Sequence, residues 1–276
     1  TRFIPKTHSI VTLFLHLILG IHKVSHMKNT THYASSEELS VKKFSFTSEE
    51  IDAHKSSEKQ WYYFVLTREA EIIFSLFDKV RFPLALEIGA GNCEQSITIS
   101  RYCDNLICTE YDQKSHAWMG QSILERKLLN VEYRLCDAQD LSQFRDKSFD
   151  LIFSSNVLEH IPNIDRCLSE CRRVLRDGGI MLHTMPSRWW KVFSFCFCPL
   201  RGWIPGVHGV SSNSLAEFWA FGRELWISKF ETNGFYVDQT VGLPFYIGHG
   251  NKFIPITKAG NALALSASYL YVVRKR

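Results

Sequence analysis

Acidic and small residues recur at the ends of predicted strands, and the first group carries the clearest chemical signal. The apolar run Leu84–Ile88 contains Glu87 and breaks into a turn with two glycines, Gly89 and Gly91. The residues from Glu94 to Ser100 then indicate a helix. A strand, a tight turn and a helix N-terminus present backbone N–H groups to a ligand, and glycine leaves no Cβ in the way. This turn is the first candidate ligand site, and a glycine turn that binds nothing is the alternative.

Glu94 separates two classes of ligand for this turn. A dinucleotide fingerprint has a small residue at that position. A carboxylate beside two phosphates would be repelled by an energy on the order of several kcal/mol. A ligand without phosphates tolerates Glu94, and S-adenosylmethionine (SAM) is such a ligand: a sulfonium, an amino acid and a nucleoside. We then expect Glu87 near its ammonium group, and we disfavour a dinucleotide enzyme that transfers hydride.

Two further carboxylates follow predicted strands. Leu106–Thr109 reads as a short buried strand and precedes Glu110, about 20 residues past the glycine turn, where a carboxylate suits two ribose hydroxyls. Residues 131–136 alternate in polarity and precede Asp137, which can accept a hydrogen bond from an adenine amino group. A fourth strand, residues 148–156, ends in small polar residues. Ligands bind at the carboxyl edge of an open parallel sheet, so we expect these groups on one rim.

These motifs, taken in order, resemble the class I SAM-dependent methyltransferases, in particular the group that methylates quinone precursors and other small molecules. The resemblance covers roughly residues 60–186 and rests on residues 86–92, 110, 136–138, 149–161 and 173–179. It implies an enzyme with SAM as its cofactor. The SAM-binding residues that it implies are Glu87, Gly89, Ala90, Gly91, Asn92, Glu110, Tyr111, Asp137, Ala138, Ser154 and Asn156. The family usually has a third glycine where this chain has Cys93, so we expect a tighter pocket there.

The expected fold is α/β: a Rossmann-like, seven-stranded, mostly parallel sheet with helices on both faces and an antiparallel hairpin at one edge. We expect an amphipathic helix over Glu58–Val80 to cover the cofactor edge of this sheet. Gly178 and Gly179 are expected to end the fourth helix. The apolar spacing in Asn213–Asn233 predicts one continuous helix.

The predicted domain spans residues 58–276 and follows an N-terminal extension, residues 1–57. Residues 10–21 of this extension are largely apolar, but twelve helical residues span only about 18 Å, short of the roughly 30 Å hydrocarbon core of a bilayer. A signal-peptide core, an interfacial segment and a partner-binding helix all fit these residues. We expect a loosely attached extension, and the polar residues 25–60 are expected to form a linker. Since residue 1 is Thr1, the sequence is compatible with a fragment or a processed product.

Residues 186–212 form a segment that the sheet does not need, and its first part is rich in aromatic side chains. Because the loop after the fifth strand of this fold lies over the methyl donor, we expect it to form an acceptor-side lid. An apolar lid would suit an apolar or membrane-resident acceptor, and a simple packed cap is the alternative. The aromatic residues are Trp189, Trp190, Phe193, Phe195, Phe197 and Trp203.

Two histidines are candidates for a general base. His160 follows the fourth strand near the donor, and His208 lies in a glycine-flanked turn of the lid. A hydroxyl acceptor would need such a base, whereas an amine or carbon acceptor would not. His160 also has a structural interpretation, as part of the loop that shapes the donor pocket. His183, on the fifth strand, is expected to be a core residue.

Composition limits the partners and the compartment. A net charge of +4, without a dense basic run, gives no support for nucleic-acid binding. The eight cysteines include no C-x-x-C pair, so we predict no metal site and expect reduced thiols in a cytoplasmic protein. Peripheral membrane contact is the alternative that the apolar N-terminal run favours. Cys167 and Cys171 lie on one helical face and are expected to pack in the core. The predicted partner is a small-molecule acceptor, and a lipid-like acceptor is one of the options. The alternative function is a methyltransferase-like domain without catalysis that serves as a binding or scaffold protein.

Overall fold

The computed structural model describes residues 58–77, 80–197, 206–243 and 266–276. The predicted extension over residues 1–57 and residues 198–205 of the predicted lid, including Trp203, lie outside these ranges. No helix within the described ranges has both the length and the apolar character that crossing a bilayer requires.

Seven strands of the described residues form one sheet: β1 (Phe82–Ile88), β2 (Cys103–Glu110), β3 (Val131–Leu135), β4 (Phe149–Ser155), β5 (Leu175–Pro186), β6 (Phe235–Leu243) and β7 (Ser268–Lys275). Their order is β3-β2-β1-β4-β5-β7-β6. The first five strands are mutually parallel. β7 runs antiparallel to both β5 and β6. The predicted fold class, with its antiparallel edge hairpin, is confirmed.

The helices of the described residues are α1 (Glu58–Ser75), α2 (Ser96–Ile99), α3 (Gln113–Glu125), α4 (Ile164–Val174), α5 (Arg188–Phe197), α6 (Ser214–Ala220) and α7 (Arg223–Thr232). A 3-10 turn spans Leu158–His160. The helix predicted over Glu94–Ser100 is reduced to the four residues of α2, because Cys93 still has a left-handed backbone, with φ at 63°. The turn therefore continues further than the sequence pattern suggested.

Two other predicted helix boundaries were wrong. The continuous helix expected over Asn213–Asn233 is divided into α6 and α7, because the chain becomes extended at Gly222, the N-cap of α7. α4 ends at Val174, and Leu175 is already extended. Gly178, with φ at 80°, lies inside β5 where its register with β4 shifts, so it forms an irregularity in a strand instead of a helix end.

Helices cover both faces of the sheet, because strand residues alternate between two apolar clusters. On one face, Leu106 and Cys108 of β2 belong to a cluster that includes Ile73 and Phe74 of α1. On the other face, Ile107 belongs to a cluster with α4 and α7. The apolar runs of β1, β4 and β5 reflect burial on both sides, as expected for parallel strands. Burial of each large apolar side chain contributes about 1.5–3 kcal/mol. Cys167 and Cys171 lie in the second cluster, which confirms the prediction for them.

Candidate functional site

The turn after β1 contains three residues in the left-handed region: Gly89, Gly91 and Cys93, with φ of 67°, 55° and 63°. A Cβ on Gly89 would lie 2.6 Å from Cγ2 of Val157, so this glycine lets the turn pack against the loop after β4. A Cβ on Gly91 would meet nothing within 4 Å. The backbone at Gly91 therefore borders open space, where a ligand can approach it closely.

The Cys93 side chain does not narrow this site, contrary to the expectation of a tighter pocket. It is fully buried in the core and interacts with the thiol of Cys108. The backbone of Cys93 takes the left-handed conformation that glycine usually supplies. The substitution therefore changes the packing beneath the turn, and the ligand side of the turn keeps its shape.

Glu110, the last residue of β2, lies against the glycine turn. Its Oε2 accepts a hydrogen bond from the Gly91 N–H at 3.1 Å, and its Oε1 accepts one from the Tyr111 N–H at 2.9 Å. A carboxylate has about four lone-pair positions, so acceptor capacity remains. The side chain of Tyr111 is 74% exposed. Glu110 is thus a fixed acceptor on the carboxyl rim, suited to two neighbouring hydroxyls.

Glu87 lies beneath the turn and is buried. Its Oε2 accepts a hydrogen bond from the Ser96 hydroxyl at 2.5 Å and one from the Cys108 thiol at 3.3 Å. Burial raises the pKa of Glu87 to about 7, although both hydrogen bonds lower it. The carboxyl group connects β1 to the start of α2. This position is deeper than expected for a group that contacts an ammonium directly.

The remaining rim residues separate into exposed and buried members. Asp137 follows β3 and is exposed, and its Oδ1 accepts the Gln139 N–H at 2.8 Å. Ala138, beside it, is buried. Asn156, with φ at 53°, follows β4 and donates its N–H to the carbonyl of Thr184 at 2.9 Å. Asp137 and Asn156 follow β3 and β4, whose carboxyl ends lie at the same edge of the sheet with β2 and β1 between them.

Ser154 is the predicted rim residue that the structure places elsewhere. Its side chain is fully buried, and its hydroxyl forms a 2.7 Å hydrogen bond with Nδ1 of His183. Burial lowers the pKa of His183 to about 3, so this imidazole is neutral, and it stacks on Phe230. His183 is confirmed as a core residue. The side chain of Ser154 packs in the same core as His183, because it points to one face of the sheet and not over its carboxyl edge.

Glu94 also has a different environment from the one assumed in the sequence argument. Its Oε1 forms an ion pair with Nη2 of Arg126 at 2.6 Å, just beyond α3. The arginine neutralises the carboxylate. Repulsion between Glu94 and a phosphate is therefore weaker than the sequence alone suggested, and the argument for the ligand class depends on the rim and the fold.

α1 contributes a buried carboxyl group that sequence reasoning missed. Oε1 of Glu69 accepts a hydrogen bond from the Ser155 hydroxyl at 3.4 Å, and Thr184 also hydrogen-bonds to Ser155 at 2.9 Å. Burial raises the pKa of Glu69 to about 7. As predicted, α1 reaches the edge of the sheet at the ends of β4 and β5. An acidic residue on an amphipathic helix normally indicates the solvent face, so no sequence signal distinguished Glu69.

The two candidate histidines meet at a third residue, Glu159. Oε1 of Glu159 lies 3.9 Å from Nε2 of His160 and 3.8 Å from Nε2 of His208. The two imidazole centroids are 4.7 Å apart. Burial raises the pKa of Glu159 to about 8, and the nearby charge of Glu217 adds to this effect. We call Glu159, His160 and His208 the lid cluster.

The lid cluster joins the loop after β4 to the predicted lid. Val210 donates its N–H to the carbonyl of Glu159 at 3.2 Å, and a Cβ on Gly209 would lie 2.7 Å from the same oxygen. The lid backbone thus packs directly on this loop. The absence of a side chain at Gly209 is what permits the contact.

A buried ion pair holds His208 in place. Lys191 of α5 and Glu217 of α6 form an ion pair in which both side chains are almost completely buried. Glu217 also accepts the backbone N–H of His208, and Lys191 donates to the carbonyl of Gly206 at 2.6 Å. The ring of Trp190 lies 5.1 Å from that of His208. α5 and α6 therefore determine where this histidine lies.

Residues 86–183 match the family model described as "Methyltransferase domain". A ubiquinone biosynthesis O-methyltransferase from Maricaulis maris is 26% identical over 130 residues, which cover 45% of this chain and 50% of that protein. A demethylmenaquinone methyltransferase from Thermotoga maritima is 28% identical over 158 residues, which cover 55% of this chain and 66% of that protein. The chain thus spans about half to two thirds of the length of these relatives.

The fold has the same class of neighbours. The crystal structure of a SAM-dependent methyltransferase from Aquifex aeolicus superposes with a TM-score of 0.53 at 11% identity, covering 74% of this chain and 88% of that one. The sheet order and the TM-score show that this chain shares the fold of that methyltransferase, and residues 86–183 are similar to the methyltransferase-domain family. Both relatives named above are methyltransferases named for quinone biosynthesis, and the chain is similar to them over about half of its length.

Proposed function

We propose that this chain transfers a methyl group from SAM to a small, apolar acceptor by in-line displacement, and that residues 58–276 form the catalytic domain. The observation that carries the proposal is the fixed Glu110 carboxylate beside the open backbone at Gly91. The names of the similar proteins support a quinone-like or lipid-like acceptor.

The residues of the rim fit SAM. Glu110 would accept hydrogen bonds from the ribose hydroxyls, and Asp137 would accept one from the adenine amino group. Gly91 and its neighbours leave the backbone accessible, whereas the buried Glu87 would act on the amino-acid end only through the turn or a water molecule. The residues proposed to line the site are Gly89, Ala90, Gly91, Asn92, Glu110, Tyr111, Asp137, Ala138 and Asn156.

When bound, SAM supplies the methyl group on a sulfonium that already activates it. The protein's main contribution is then to align the acceptor, and alignment accounts for about 7–11 kcal/mol in the best-oriented reactions. A hydroxyl acceptor also has to lose its proton. His208 and His160 are the groups in the lid cluster that can take it, since neutral imidazole is a base near neutral pH.

The helix α6, which follows the predicted lid in the chain, exposes apolar side chains. Leu215 and Trp219 of α6 are 70% and 55% exposed, and the guanidinium of Arg188 lies 5.1 Å above the Trp219 ring. Apolar side chains beside a basic group suit the interfacial region of a membrane. We therefore propose peripheral membrane contact at α6, which would bring the lid to a membrane-resident acceptor.

Calorimetric titration with SAM, followed by an acceptor screen, tests this function. We expect binding of one SAM per chain, and release of S-adenosylhomocysteine with phenolic or quinol-like acceptors presented in lipid vesicles. Turnover with water-soluble compounds alone would contradict the apolar acceptor. Binding without turnover on any acceptor would favour the non-catalytic alternative, and absence of SAM binding would refute the proposal as a whole.

A further inference from the structure

The Glu159 carboxylate lacks the partners that a buried charged group needs. The residue is 5% exposed, and neither carboxylate oxygen accepts a hydrogen bond from the described part of the chain. Buried polar atoms are nearly always paired, so an orphaned carboxylate indicates a missing ion or water.

Two imidazole nitrogens lie at the distance where a metal ion would connect them to this carboxylate. Three possible ligand atoms, one from each of Glu159, His160 and His208, all lie within 4.8 Å of one another. Zinc binds carboxylate oxygen and imidazole nitrogen at about 2.0–2.2 Å, which places neighbouring ligand atoms of a tetrahedral site roughly 3.4 Å apart. The two O–N distances, 3.8 and 3.9 Å, need to shorten by only a few tenths of an ångström.

The chemistry of the donors selects the kind of ion. Imidazole nitrogens suit zinc and the neighbouring divalent transition metals, whereas magnesium and calcium prefer sites made only of oxygen. Glu217, an acid whose charge acts on Glu159, is already paired with Lys191, so it supplies no competing site. Three protein ligands leave a fourth position open, as in catalytic zinc sites.

We propose that Glu159, His160 and His208 bind one divalent transition-metal ion of the zinc type at the junction of the lid and the loop after β4. The ion would hold the lid on that loop, because His208 belongs to one and the other two ligands to the other. Its open position would take the acceptor oxygen.

That catalytic role rests on the proposed methyl transfer, whereas metal binding does not. The acceptor hydroxyl would release its proton to solvent on coordination. The oxygen would then form a bond to the methyl carbon as the carbon–sulfur bond breaks, leaving S-adenosylhomocysteine. The ion thus supplies the activation that a histidine base would otherwise provide.

Titration of the full chain with cobalt(II), after removal of metal with a chelator, tests the site. We expect one ion per chain with an absorption spectrum of low-coordinate cobalt, displaced by zinc. His208→Ala and Glu159→Gln should each weaken binding at least about 100-fold, since loss of even an outer-shell partner costs 10–100-fold. Glu125→Gln, an exposed change on α3, is the matched control and should leave binding unchanged.

Three results would overturn the inference: no stoichiometric binding, binding by His208→Ala as tight as wild type, or equal loss in the control. His160→Asn changes a side chain that is about half exposed, so it tests the site even where a buried substitution prevents folding. SAM titration of the metal-free protein distinguishes the two proposals. SAM binding without a metal site refutes only this inference, and a metal site in a chain that does not bind SAM refutes only the proposed function.

Discussion

Replacing Glu110 with alanine tests the rim most directly. The change removes the acceptor for the Gly91 and Tyr111 N–H groups and the proposed acceptor for the ribose hydroxyls. A hydrogen bond to a charged group contributes about 1.5–3 kcal/mol. We expect SAM binding to weaken by that amount, which is about 10- to 150-fold in Kd. Isothermal titration calorimetry at 25 °C measures the loss, with thermal unfolding recorded beside it.

A matched substitution distinguishes a loss of SAM contacts from a general loss of protein stability. Glu132→Ala, on the neighbouring β3, removes an exposed carboxylate that pairs with Arg134, and it should change neither measurement much. Glu110→Gln keeps the shape of the side chain but turns one acceptor into a donor, so it should lose affinity with a smaller loss of stability. Wild-type affinity in Glu110→Ala, in a folded protein, would remove Glu110 from the site and refute the rim argument.

Further substitutions test the turn, a buried carboxyl group and the lid. Gly91→Ala should weaken SAM binding at least tenfold, and its left-handed backbone alone should cost about 1–2 kcal/mol of stability. Gly89→Ala should be less stable still, because its Cβ would lie 2.6 Å from a methyl carbon of Val157. Equal unfolding temperatures of the two variants would contradict this reasoning. The pKa of Glu69 is raised from 4.5 to about 7, so the folded protein keeps a proton that the unfolded chain releases, and stability falls as pH rises between these values. Glu69→Gln should reduce that fall by an amount on the order of a few kcal/mol, measured by urea unfolding at several pH values; an unchanged slope would show that the carboxyl titrates normally. Lys191→Met leaves the buried Glu217 without its ion-pair partner and should lower the free energy of unfolding by about 3–5 kcal/mol. Adding Glu217→Leu should restore part of that loss. Strictly additive losses in a double-mutant cycle would contradict the coupling between the two side chains.

Most of the fold could be predicted because the strands of a parallel sheet are apolar runs with turn residues at their ends. The errors occurred where tertiary contacts determine the backbone. The pattern of α6 and α7 is continuous in sequence, yet the chain becomes extended at Gly222. Gly178 has the left-handed backbone that ends many helices, but here it lies within β5. A positive φ was predicted correctly, and its structural context was not.

The positions of Glu110 and Asp137 at the carboxyl edge of the sheet were predictable, because each residue ends or follows a strand that the sequence pattern indicates. The role of a residue was not predictable where it depends on the direction or the burial of its side chain. Ser154 is at a strand end but faces the core. The sequence analysis treated Glu159 only as part of a motif. Its contact with His208 could not be predicted, because His208 is distant in sequence and approaches Glu159 only when the lid packs.

The place of β7 in the sheet has a consequence for biosynthesis. β7 lies between β5 and β6, so until residues 268–275 have left the ribosome β6 has no partner strand and β5 is paired only with β4. Until then β5 presents an unpaired edge, which is the kind of surface that promotes aggregation of nascent chains. A stop codon just before residue 268 would therefore yield a product that contains all the rim residues but lacks β7, so that β5 keeps an unpaired edge. We expect this product to accumulate as insoluble protein.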